Sequence, residues 1–585
     1  MHLQLNVWTN LEHLAYSSYV RILRDWRRSF GTQVCTLKRV EPEERNWKTK
    51  LCSLLEQHLS VAQLRQVHSL IISNGLHQDD TLVSYLVSSL IKCGEPNVAF
   101  TVFKQVEHQQ NFLWTSMIRG LDCNGHLQEA IALYAQMRTQ LVKPNNFNIP
   151  FALKACGNLK CICEGEQIHT DLLKEGFISD VYVQTALLDM YVKCGRVEMA
   201  KQVFDRMLEK TVVSWTAMLA GYCSVGLLDQ AKDLFQEMPT KNVVTWNVMI
   251  DGLCRFGNIA EARRYFDMMP VKNVVSWTTM ISGYSRRQDM VNARILFDKM
   301  VEKEVIAWTA MISCYVENGD PDEAIEIFRE MQAAGVKADE VTFLTVMSAG
   351  TETGSSNLCE WIHNCIKATH YGSKLKINNA LLNMHASVGS VTKALKVFHE
   401  MSKRDVVSYN SIITGCASHG FADQALTLFS MMLNAGIRPN SITFTAVLTA
   451  CAHSGLVEEG RKNFALMRKL GFIKPKVKHY SCMVDLLGRA GLIDEAYNLI
   501  TSMPLEPEAS IWGALLGACK IHGNLQVAEI AANKLFEMES RNPGNFCVLA
   551  NIYSENKMWI EASKLRGMMM GEGVCKMAGR SLVEA

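Results

Sequence analysis

The chain has 585 residues, 48% of them hydrophobic and 20% charged, with 12 prolines and no uninterrupted apolar run long enough for a membrane-spanning helix. That composition argues against a membrane protein and against a long disordered one. Sixty Lys and Arg nearly cancel 58 Asp and Glu, leaving +2, so any contact with nucleic acid must be local rather than driven by bulk charge.

The 19 cysteines are odd in number and scattered through apolar helical patterns, which reads as reduced, buried thiols. Cys156, Cys161 and Cys163 lack the paired C-x2-C spacing of a tetrahedral zinc site, and His169 does not complete a ligand pattern. No metal and no cofactor are expected.

From the N-terminus, Arg21, Arg24, Arg27 and Arg28 fall in YVRILRDWRRSF, a candidate basic amphipathic helix that suits an organelle transit peptide over residues 1–45. Glu12 and Asp25 depart from the acid-poor habit of such presequences. A degenerate helical unit follows, from Trp47 through QVHSLIISNGL.

Farther along, VSWTAMLAGY, VTWNVMIDGL, VSWTTMISGY and IAWTAMISCY place Trp215, Trp246, Trp277 and Trp308 at steps of 31 residues. A fixed period of this size marks a solenoid, whose units bury their apolar faces by stacking on neighbours. Within one unit, Trp215, Met218, Leu219 and Tyr222 have helical spacing, Gly226 interrupts, and Ala231, Leu234, Phe235 and Met238 resume it. Each unit is therefore predicted to be two antiparallel helices with the tryptophan in the core, and Pro239 and Pro270 close second helices. The expected fold is all-α, a solenoid of stacked helix-turn-helix repeats.

The residue after the first-helix aromatic is small and polar: Thr115, Thr216, Asn247, Thr278, Thr309 and Asn410, with Ser84, Thr185 and Asn379 equivalent in shorter units. The residue two before the next unit is polar as well: Asn145, Asn242, Asn273, Asp339, Asp405 and Asn440. Helix capping accounts for part of the second set and not for the first. Stacking can align one such pair per unit along a face, where each unit meets one single-stranded base. Asn offers a donor and an acceptor, Thr or Ser leaves room for a purine, and Asp only accepts, favouring the imino hydrogen of U or G.

These residues resemble the pentatricopeptide repeat family of the plant mixed-length type. Units of 31 residues begin near Thr81, Tyr182, Val213, Val244, Val275 and Lys376; units of 35 begin near Phe112, Phe147, Ile306, Val341 and Val407; longer ones begin near Ile442 and Lys478. NALLNMHASVGS, TALLDMYVKCGR and FALKACGNLKC resemble its short and long variants. The rival tetratricopeptide repeat has a uniform period of 34 and a Gly after the Trp in a register absent here. The resemblance implies a right-handed superhelical sense for the solenoid, an array of about 14 repeats of 31–36 residues over 46–509 and a recognition code at the polar pairs, with RNA running 5′ to 3′ from the N-terminal repeats.

By that code Thr115 with Asn145 and Thr216 with Asn242 imply A, Asn247 with Asn273 and Asn410 with Asn440 a pyrimidine, Thr309 with Asp339 G, and Asn379 with Asp405 U. Thr278 with Glu304 leans to purine; Thr185 with Thr211 and Ser84 with Gln110 are off-pattern; Pro150 and Leu344 occupy the first place in long units that lack the usual pair. The core from Thr216 to Asn440 reads A, pyrimidine, purine, G, any, U, pyrimidine.

Near the C-terminus, SIWGALLGACKIHGN and NFCVLANIYSENKMW resemble the E-type extension of editing-associated members, expected over 510–585, although GRSLVEA departs from the usual ending. The H-x-E and P-C-x-x-C deaminase signature of longer relatives, the H-E-x-x-H motif and the phosphate loop are not found, so no enzyme is expected. The resemblance implies a site-recognition factor for C-to-U editing of single-stranded organellar RNA, with a deaminase-bearing protein recruited through the extension and no membrane partner. The alternatives are RNA stabilisation, processing or splicing without editing, and a protein-interaction scaffold. Arginine content and family habit together favour the mitochondrion over the chloroplast.

Overall fold

The computed structural model describes residues 44–571 except 57–58, 108, 472 and 540–541; the transit-peptide expectation for 1–45 falls almost wholly outside them. Every described element is helical, with 32 α-helices and two short 3-10 turns. The chain divides into two units, residues 1–240 and 241–585. Each is a stack of antiparallel helical hairpins in which a first helix packs both on its own partner and on the first helices of neighbouring hairpins.

The hairpin Val212–Val225 and Leu228–Glu237 shows why the sequence folds this way. Thr211 caps the first helix by accepting from the Ser214 N–H, and Gly226 ends it at φ 82°, a left-handed conformation in which a side chain is strained. Met218, Leu219 and Tyr222 are buried on the first helix and Ala231, Leu234 and Phe235 on the second, which packs against it. Pro239 follows the last turn, as its missing N–H dictates.

An aromatic contact recurs between hairpins. The first-helix aromatic stands edge-on to a phenylalanine of the preceding second helix: Trp114 on Phe103 at 4.8 Å, Trp215 on Phe204 at 4.9 Å, Trp277 on Phe266 at 5.0 Å, Trp308 on Phe297 at 4.8 Å and Tyr409 on Phe398 at 5.0 Å. Each pair contributes about 1 kcal/mol beyond its area burial. Trp114 and Trp308 are buried, whereas Trp215, Trp246 and Trp277 are half-buried. The residues expected to form the extension fold as two more hairpins, Ala509–His522 with Leu525–Met538 and Pro543–Glu555 with Trp559–Gly571.

Candidate functional site

The second set of polar residues lies at helix starts. Asn242, Asn273, Asp339, Asp405 and Asn440 are N-caps with extended backbone, and their Oδ1 atoms accept from the N–H three residues on, in Thr245, Ser276, Thr342, Ser408 and Thr443, at 2.8–3.1 Å. The hydroxyls of those same five residues point at the same Oδ1 atoms at 2.7–3.1 Å. Such a cap contributes about 1 kcal/mol and fixes the rotamer of its own side chain. None of these bonds uses the second heteroatom, the amide nitrogen of Asn or the other carboxylate oxygen of Asp.

The first set meets this cap in the second unit. Asn379 Nδ2 donates to Asp405 Oδ1 at 3.1 Å, and the Ser408 hydroxyl lies 2.6 Å from Asn379 Oδ1. One repeat later, Asn410 Nδ2 donates to Asn440 Oδ1 at 3.1 Å and the Thr443 hydroxyl lies 2.6 Å from Asn410 Oδ1. Thr309 reaches Asp339 indirectly, through a 2.7 Å bond between the Thr309 and Thr342 hydroxyls. Burial pushes the Asp405 carboxyl up, but the Ser408 N–H and hydroxyl and the Asn379 amide outweigh it and hold the pKa below the usual carboxylate range. Asp405 is therefore an anion and a pure acceptor at neutral pH.

Other candidates stand differently. Thr185 and Thr216 turn their hydroxyls onto the carbonyls four residues back, Val181 and Val212, and Thr278 bonds the Val275 carbonyl. Thr115 bonds the Asn111 carbonyl and is approached at 3.4 Å by Asn148 Nδ2. Asn145 holds the turn ahead of the helix Ile149–Leu159 by accepting from Phe147 and Asn148, and Asn148 rather than Asn145 is the residue at the helix start. Ser84 is fully buried with an unpartnered hydroxyl, so it belongs to the core rather than to a face. Asn247 Oδ1 is enclosed with no hydrogen-bond partner, an acceptor left over at this place in its repeat.

Two parts of the site are additional to those expected from the sequence. The hydroxyls of Thr342, Ser408 and Thr443 are fully buried, yet they tie the two polar sets together. The signal was a Ser or Thr just before the first-helix aromatic, as in VSYN and ITFT. The second part is a row of solvent-facing aliphatics at the second helical position: Val244, Val275, Ile306, Val341, Val407 and Ile442 are 49–60% exposed, while Lys376 and Lys478 hold the same place in two other units. They recur at the unit starts, where core packing does not explain them.

Stacked helical hairpins, most of the later ones carrying a capping Asn or Asp and an exposed aliphatic at the start of the first helix, define an α-solenoid repeat protein. Models described as "PPR repeat" match residues 112–140, 185–212, 213–243, 240–270, 275–305, 379–406, 442–472 and 478–506; "PPR repeat family" matches 303–349 and 404–453, and "E motif" matches 522–584. A putative pentatricopeptide repeat-containing protein of Arabidopsis thaliana is 47% identical over 542 residues, spanning 91% of this chain and 96% of that protein. Two others from Arabidopsis thaliana are each 34% identical and covered over 68% of their length: one, named mitochondrial, spans 89% of this chain, and one, named chloroplastic, spans 93%. The chain belongs to the pentatricopeptide repeat family. Among solved structures, the maize pentatricopeptide repeat protein PPR10 in complex with an 18-nt psaJ RNA element is 17% identical, covers 90% of this chain and 93% of that chain, and has a TM-score of 0.44.

Proposed function

We propose that the protein binds single-stranded RNA sequence-specifically in a plant organelle and acts as a site-recognition factor for C-to-U editing, its C-terminal extension recruiting a deaminase carried by a separate protein. The observation that carries the reading is the shared cap. Because Asn and Asp both commit Oδ1 to the helix start, they differ toward solvent in one heteroatom only, an N–H donor for Asn or an oxygen acceptor for Asp. That difference matches A or C against U or G at a single pairing edge. The Thr or Asn across from it sets how much room the base has, and the exposed aliphatic beside it offers an apolar surface for a base plane.

The E-motif match at 522–584 supports the editing role, and relatives named mitochondrial and chloroplastic support an organelle. The arginine-rich start favours the mitochondrion. The test is sequencing of mitochondrial and plastid RNA from a loss-of-function line, scored together for editing, splicing and transcript ends. Loss of editing at cytidines preceded by A, pyrimidine, purine, G, any, U, pyrimidine is the expected result. Unchanged editing with altered introns or ends overturns the editing role in favour of RNA processing. Failure of the purified protein to shift any matching oligomer leaves a protein-interaction scaffold.

A further inference from the structure

Lysines replace the cap and the aliphatic of the polar row at two steps, and at the later one they carry no ion pair among the described residues. At the start of the helix Val477–Arg489, the place held elsewhere by the capping Asn or Asp is Lys476, and the place held elsewhere by the exposed aliphatic is Lys478. Lysine has no acceptor and cannot cap a helix. His479 takes over part of that work: it is fully buried, its Nδ1 accepts the Lys476 N–H at 2.8 Å, and its Nε2 faces the Ser441 carbonyl at 2.9 Å. The Lys476 side chain is thereby excused from capping. Both lysines are exposed and line an open cleft of about 700 Å³ together with Ser441, Thr445 and, at its acidic edge, Glu508.

An earlier pair of lysines in this chain serves as an internal control. Lys374 and Lys376 stand at the corresponding places before and in the helix Leu375–Ser387, but there Glu340 holds the Lys374 ammonium at 2.6 Å, and Lys374 also lies over the Tyr371 ring. Glu340 is the first residue after the cap Asp339; its counterpart after the cap Asn440 is Ser441, which is neutral. Neither Lys476 nor Lys478 has an acidic partner within 4.0 Å among the described residues. Across the step, the Thr445 hydroxyl is turned onto the Ser441 carbonyl at 3.0 Å, and the residue opposite it is Lys476 in place of a capping Asn or Asp.

We infer that this cleft grips the phosphodiester backbone of the RNA just 3′ of the base-reading core, through Lys476 and Lys478, without reading its bases. The inference rests on the RNA-binding reading above. Two compact cations in place of an amide and an aliphatic exchange base discrimination for sequence-independent affinity. The site extends the footprint toward the C-terminal extension and holds the strand there whatever its sequence.

The experiment compares the full chain binding two oligomers, one ending at the last pyrimidine of the core and one extended by about three nucleotides on its 3′ side, across a salt series. The extension is expected to tighten wild-type binding about tenfold at low salt with any added bases, the gain falling with a log–log slope near 1.4 for two phosphates on a single strand. Lys476→Gln with Lys478→Gln should abolish the gain and leave core affinity unchanged. Ser441→Glu, which copies the Glu340 arrangement and keeps both lysines, should do the same to a lesser degree. A gain that survives the double substitution, a gain seen only with guanine in the extension, or no gain while the core oligomer binds would each overturn the site. If the core oligomer itself fails to bind, the RNA-binding reading falls first and this inference with it.

Discussion

Asn410 donates across 3.1 Å to Asn440 Oδ1, while the buried Thr443 hydroxyl lies 2.6 Å from Asn410 Oδ1 and 3.1 Å from Asn440 Oδ1. Three residues from two consecutive repeats thus share one hydrogen-bond network, so the orientation of Asn410, itself nearly buried, is set by a hydroxyl that never reaches solvent. The Asn379, Asp405 and Ser408 network repeats the arrangement one step earlier.

Thr443→Val tests that dependence. The substitution keeps the shape, removes the hydroxyl and leaves the Asn410 acceptor unsatisfied, at a cost of about 1–2 kcal/mol. Urea unfolding followed by circular dichroism should register the loss. Discrimination between pyrimidine and purine at this step should weaken as well, although Thr443 is fully buried and touches no base.

Replacing the readers themselves has a different signature. Asn247→Ala and Asn410→Ala should each reduce binding to the matching oligomer by about 1–3 kcal/mol and relax preference only at the step that each occupies. Anisotropy titrations with each base substituted in turn read this out. A uniform weakening across all bases, in either variant, would assign these side chains to positioning the strand instead.

The hairpins, their period and the capping set were legible because each rests on local chemistry: apolar spacing, Gly at the turn, and Asn or Asp three residues before a Ser or Thr. Ser84 was not legible as core, since a lone small hydroxyl reads alike on a buried or an exposed face, and its place is set by packing against neighbouring hairpins. The sequence pairs Asn379 with Asp405 as readers, but the hydrogen bond between them, 26 residues apart, was not legible, because it depends on how closely consecutive first helices approach. The distinction between Lys374 and Lys476 is of the same kind. Both read as surface lysines until the first carboxylate or hydroxyl of the preceding repeat is set against them.

Close helix approach has its own test. A β-carbon added at Gly415 would stand 2.4 Å from Ala386 Cβ and 3.3 Å from Ala386 Cα, so the neighbouring backbone limits any relief. In an isolated helix Gly→Ala gains up to about 1 kcal/mol; at Gly415 the clash should reverse the sign, to a net loss of about 1–3 kcal/mol. Gly513, in the helix Ala509–His522, has nothing within 4 Å of the same added atom. Gly513→Ala should therefore stabilise, and unfolding curves of the two variants should move in opposite directions.

Acid sensitivity should concentrate on one histidine pair. His363 Nδ1 lies 2.9 Å from His385 Nε2, and His385 is fully buried with its Nδ1 unpartnered. Burial first, then His363 and Lys393, push the His385 pKa down from 6.5 to about 4, with Lys367 adding to the depression and Glu360 opposing it; Glu400 faces His363. A histidine depressed in the folded state favours the neutral form, so its contribution to stability is complete above 6.5 and is lost as pH falls from there toward 4. Hydrogen exchange, corrected for intrinsic rates, should show the helices Ser356–Lys367 and Leu375–Ser387 losing protection between neutral pH and pH near 5. The same place in an earlier hairpin holds His169 with Tyr191, bonded at 2.8 Å, and a phenol takes no proton in this range. His385→Tyr should therefore flatten the acid loss in these two helices while leaving their protection at neutral pH close to wild type.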